Sequence, residues 1–160
     1  MPVSIGMTRV FRAARALAGA WIAASGTIGC GDEVDEAGAR ALWDEIHSAN
    51  YRSWQRPAGW ETRQPTVSAH GNTADIFVNP VLVEAATFQG LGAWPDSSLL
   101  VKDSYRDDSL ALIAAMKKTS GEWFFAEWSG DGQVKFAGRP EVCLDCHQAG
   151  SDHVFSMALP

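Results

Sequence analysis

At 160 residues, with 46% hydrophobic side chains and seven tryptophans, the chain is long enough for one packed domain after any leader is removed. It holds 13 basic and 19 acidic residues; the first 29 carry three of the basic and none of the acidic ones, so the remainder has a net charge of −9. That balance excludes nucleic acid and anionic lipid as natural partners and suits a basic protein, while three cysteines leave no disulfide framework to stabilise the fold.

The chain opens with Arg9, Arg12 and Arg15, followed by small, apolar, uncharged residues at 16–28. This stretch is too short to span a bilayer comfortably and fits a secretory signal, so residues 1–29 are expected to be a signal peptide and 30–160 the domain. Thr27-Ile28-Gly29-Cys30 resembles a lipoprotein processing box, although Thr27 stands where an aliphatic residue is usual. Either Cys30 is lipidated and anchors the chain, or cleavage nearby leaves it as a thiol. Both routes export the chain, and the expected location is the periplasm.

Asp32 can cap a helix running to about residue 49, with Val34, Gly38, Ala41, Leu42 and Ile46 at helical spacing and His47 near its dipole-friendly end. Pro and Gly then break the chain around Asn50-Tyr51-Arg52-Ser53-Trp54 and Pro57-Ala58-Gly59-Trp60. Residues 68–72 read as a loop and 74–79 as a strand, with Ile76 and Val78 on one face and Asp75 and Phe77 on the other. Pro80 ends that strand, and 81–88 reads as a short helix. Residues 98–103 alternate as a strand with Leu100 and Lys102 on one face. Residues 110–118 are ambiguous, since their alanines favour helix and their length favours strand. Residues 122–128 read as a strand, Ser129-Gly130-Asp131-Gly132 as a hairpin turn and 133–137 as the returning strand.

A helix or loop from Arg139 then carries Cys143-Leu144-Asp145-Cys146-His147. C-x-x-C-H is the attachment motif of c-type haem, in which two thiols reach one porphyrin and the following His ligates the iron. The alternatives are a zinc site built from Cys143, Cys146, His147 and His153, or a redox C-x-x-C, which belongs near a βαβ pattern. Haem agrees with export, because covalent attachment takes place outside the cytoplasm. The strand signals do not fit the four-helix bundle of classical cytochromes c′. Only 13 residues follow His147, so the sheet must build the other side of the haem pocket.

In the order and spacing of these segments the chain resembles the cytochrome P-460 family, which includes the cytochromes c′-beta. The likeness runs from about Trp43 to Phe155. It rests on Asn50-Tyr51-Arg52-Ser53-Trp54, His70-Gly71, Val78-Asn79, Leu100-Val101-Lys102-Asp103-Ser104-Tyr105, Glu122-Trp123-Phe124-Phe125-Ala126, Ala137-Gly138-Arg139-Pro140, the Cys143–His147 motif and Asp152-His153-Val154-Phe155. His153 stands where the family often has Tyr. The resemblance implies an α+β fold, an antiparallel β-sheet with flanking helices and a C-terminal haem-attachment segment, and one covalent haem c with His147 proximal to the iron. It also implies either oxidation of hydroxylamine, with a lysine linked to the porphyrin, or binding of nitric oxide and similar ligands behind an apolar cap.

Lys102 matches the position of the linked lysine. An amine pointing from a strand into such a pocket would be desolvated and more nucleophilic; otherwise it reaches solvent or a haem propionate. His70 is a candidate distal base, or a loop residue organising the next strand. Phe77 is a candidate distal cap or a packing residue. Arg52, Arg56 and Arg63 are candidates for propionate pairing or simple surface residues. The expected partners are a small-molecule ligand or substrate, a redox protein and a second copy of the chain. The competing function is a six-coordinate electron carrier using His147 with Met157, His70 or His153.

Overall fold

The computed structural model describes residues 34–160 together with Met1. The expected signal segment, Cys30 and Asp32 lie outside the described residues. Helix α1, Glu36–Ser48, starts where Asp35 accepts a hydrogen bond from Gly38 N at 2.8 Å. The cap is therefore Asp35 and not Asp32. Its carboxylate satisfies an otherwise orphaned amide at the positive end of the helix. Ala39, Leu42 and Ile46 form the buried stripe, while Val34 and Ala41 stay exposed. A single 3-10 turn, Tyr51–Ser53, follows.

Six strands then form one antiparallel sheet in strict chain order: β1 Gln64–Ser68, β2 Gly71–Val78, β3 Leu99–Arg106, β4 Ser109–Thr119, β5 Glu122–Ser129 and β6 Val134–Gly138. Four of the five connections are short turns, and the longer one, residues 79–98, still returns the chain antiparallel beside β2. Asp107-Asp108 and Ser120-Gly121 have positive φ, the geometry that matches the twist of a two-residue hairpin. These turns also settle residues 110–118 as strand. Between two tight hairpins the segment pairs on both sides, and tertiary pairing overrides the helical preference of its alanines. Strand β1 was not foreseen, because Pro65 and polar neighbours obscure it; such a residue is tolerated on an edge strand. The expected loop at 68–72 is shorter, since Gly71 already belongs to β2. A Cβ at Gly71 would lie 2.8 Å from Tyr105 O, so glycine lets β2 close on β3 there.

The sheet buries both faces. On one, α1 packs over Phe77, Leu99, Val101, Ile113, Ala115 and Trp128. Trp43 meets Trp128 with ring centres 5.1 Å apart, and Lys117 pairs with Glu45 at 2.7 Å. The other face carries Ile76, Val78, Leu100, Met116, Trp123 and Phe125 beneath helix α2, Pro80–Ala85, and Trp94, with Cys143, Leu144 and Met157 packed against the same cluster. Asn79 caps α2 through its Oδ1 to Leu82 N and ties it to Leu99 N, both at 3.2 Å. Helix α3, Glu141–His147, carries the Cys-Cys-His motif. The architecture is the expected α+β arrangement, an antiparallel sheet with flanking helices.

Candidate functional site

Strand register builds the site. Ile76 pairs with Lys102, Lys102 with Ala114, Ala114 with Glu127 and Glu127 with Phe136, so the five residues form one row across β2 to β6. Cross-strand partners share a face, and neighbouring strands lie about 4.8 Å apart. Lys102 and Glu127 are thus two strands, or about 10 Å, apart at their backbones. Between them Ala114 offers only a methyl group. The row faces the side on which α3 lies.

His147 sits against Phe125 and Phe155, with ring centres 5.2 and 5.3 Å away. Its Nδ1 lies 2.8 Å from the carbonyl oxygen of His153. A carbonyl can only accept, so Nδ1 carries the proton and Nε2 presents its lone pair. Burial pushes the imidazole below its ordinary pKa; the carbonyl bond opposes this, and His70, His153 and Lys102 add to the depression. The ring is therefore held neutral, as a metal ligand must be.

Lys102 Nζ donates to Ser68 Oγ at 3.0 Å. Burial pushes its pKa down, with Glu127 and Cys146 pulling the other way. His70, at the β1–β2 turn, brings Nδ1 to 2.9 Å from Glu127 Oε2. The contact is close but not aligned as a hydrogen bond, so Nδ1 has no hydrogen-bond partner; it becomes an ion pair when the imidazole is protonated. The electrostatic reach of these groups on one another shows that Lys102, Glu127, His70, Cys146 and His147 share one neighbourhood.

A haem would fit this donor set. Neither Cys143 nor Cys146 is in a disulfide, and Cys146 is exposed. His147 offers one nitrogen and secures the other. Beside it Phe155 is 60% exposed, and Phe136, in the row with Glu127, is 43% exposed, leaving apolar surface that a porphyrin would cover. Among the described residues no three His, Cys, Asp or Glu side chains gather closely enough to hold a metal between them. The zinc alternative thus finds no ligand cluster, whereas haem asks for one axial imidazole.

Several expected residues fall elsewhere. Phe77 lies on the α1 face, edge-on to Tyr51 at 5.6 Å and under Arg56, so it is not a cap on the His147 side. It alternates with Ile76 and Val78 as expected, onto the face that α1 covers. Arg52 pairs with Asp103 at 2.7 Å, and Arg56 and Arg63 pair with Asp75 at 2.9 and 3.3 Å. Those carboxylates are buried opposite Lys102, so the three arginines neutralise the fold's own acids and do not face α3. Met157 packs into the apolar cluster. His47 stacks on Trp43 at 3.9 Å and bonds its carbonyl, a helix-end role. Glu127 was missed. The signal was available: in β5 the residues Trp123, Phe125 and Glu127 alternate onto one face, which puts a carboxylate where core aromatics would otherwise continue.

A family model described as cytochrome P460 matches residues 48–156. A search of curated proteins finds no match to the chain.

Proposed function

Because the chain belongs to the cytochrome P460 family, and is thereby a haem-binding cytochrome, we propose that it carries one covalent haem c and works on small nitrogen-oxide ligands. Cys143 and Cys146 would hold the porphyrin, and His147 would ligate its iron. A haem held there would supply iron to which hydroxylamine or nitric oxide could bind. The observation that supports this most directly is the row Lys102–Ala114–Glu127 beside His147: a polar pair across a gap on an otherwise apolar face.

A bound haem supplies the iron that takes the ligand nitrogen and the route by which electrons leave. The chain's own groups handle orientation and protons. His147, locked by the His153 carbonyl, presents Nε2. Glu127, half-buried beside His70, is the acceptor for protons released when hydroxylamine is oxidised, and His70 is next to receive them. Lys102, with its pKa lowered by burial, is available as a nucleophilic amine for a link to the porphyrin. Export through residues 1–29 or a lipid on Cys30 would bring the chain to the compartment where haem is attached, and the −9 charge of residues 30–160 suits a basic redox partner.

An optical spectrum of the purified protein tests this. A haem band that persists after denaturation and is lost in Cys143→Ala with Cys146→Ala is expected. So is ready binding of nitric oxide. Sharp reduced bands and resistance to nitric oxide would instead identify a six-coordinate carrier. A red-shifted ferrous Soret band that disappears in Lys102→Met would establish the lysine link.

A further inference from the structure

The imidazole of His147 is held by a backbone carbonyl, and that carbonyl sits in a costly turn. Residues 151–154 form a two-residue reversal: Ser151 N donates to Val154 O at 2.9 Å and Val154 N to Ser151 O at 3.1 Å. The central residues, Asp152 and His153, have φ of 47° and 65°. Two successive non-glycine residues in left-handed geometry carry a conformational cost that other contacts must offset. Asn-Gly would be the easy choice for such a turn.

The contacts that fix it are present. Asp152 Oδ2 accepts from Lys118 Nζ at 2.5 Å and from Trp94 N at 2.8 Å. Trp94 Nε1 donates to Ser151 O at 3.2 Å, and Leu159 N to Ser151 Oγ at 2.9 Å. Lys118 is only 3% exposed and lies on β4, on the face where α3 packs. A cation buried this far from water is a poor source of stability against an apolar replacement, so specification of position is its better use. It pins Asp152 to the sheet, Asp152 pins the turn, and the turn aims His153 O at His147 Nδ1.

We propose that Lys118 and Asp152 are positioning residues for the axial histidine: their buried ion pair holds the His153 carbonyl where it orients and strengthens the His147 ligand. The inference rests on His147 ligating the iron. Its readout is the iron–histidine stretching band of the ferrous holoprotein in resonance Raman, with the reduction potential beside it. A ligating imidazole that loses its partner at the second nitrogen becomes a poorer donor. Asp152→Asn and Lys118→Met are each expected to move the band to lower frequency and raise the potential. Lys118→Arg, which keeps a cation in reach, is expected to stay near the parent, and the double variant to shift no further than either single change. Asparagine tolerates left-handed φ, so Asp152→Asn tests the charge and not the turn.

Parent-like band and potential in both single variants would overturn the inference alone. No iron–histidine band in the parent would overturn the axial role of His147 and this inference with it. If the variants do not fold, hydrogen exchange at the Val154 amide of the parent holoprotein still decides: protection is expected, and exchange at the rate of open chain would overturn the ordered turn.

Discussion

At the scale of single residues, burial sets the chemistry on both sides of the sheet. On the site face it lowers the pKa of Lys102 and His147 by penalising their charged forms. On the α1 face it raises that of Tyr51, helped by Asp103, which accepts the phenol's hydrogen bond at 2.8 Å and is 1% exposed. Tyr51 keeps its proton in the folded state where the unfolded chain would release it, so its contribution is fully present below the ordinary tyrosine value of about 10 and is lost progressively as pH rises above that toward the raised folded value. Tyr51→Phe should cost about 2 kcal/mol near neutral pH, the worth of a hydrogen bond to a charged group. The deficit should shrink above pH of about 10, because the parent weakens there. Urea melts at both pH values check this. Glu127→Gln should slow hydroxylamine oxidation about 100-fold or more while leaving nitric oxide binding in place. An undiminished rate would remove Glu127 from proton transfer.

At the scale of elements, α1 and α3 serve different faces, and their perturbation should separate. Asp35→Ala removes the cap of α1 and should cost about 1 kcal/mol in a thermal melt, with ligand binding unchanged. Strand alternation was legible wherever the apolar pattern was clean, as in β3, where Lys102 and Asp103 were correctly set on opposite faces. It was not legible in β1, whose residues bury little and so carry no strong pattern. The helix cap was displaced from Asp32 to Asp35 because several acids precede α1 and only backbone geometry selects among them.

At the scale of the whole molecule, the sheet pairs its strands in chain order, through tight turns everywhere except the α2-bearing connection from β2 to β3, while the C-terminal segment is fastened by distant contacts. Gly90 N to Pro160 O, Trp94 Nε1 to Ser151 O and Lys118 to Asp152 join parts of the chain far apart in sequence. Native-state hydrogen exchange should therefore find the central strands β3–β5 most protected and the segment 141–160 opening first, with bound haem raising protection there most. Uniform opening of sheet and tail would contradict this order.

The sequence by itself determined the Cys-x-x-Cys-His motif, the alternation of β2, β3 and β5, the break at Pro80 and the hairpin at Ser129–Gly132, because each depends on residue types a few positions apart. Only the tertiary structure decided which sheet face receives α3. That choice moved Phe77 and the three arginines away from the motif, brought Glu127 beside His70, and coupled Lys118 to a turn 34 residues away. A strand's period separates two faces but does not say which is the pocket; packing of the remote C-terminal segment does.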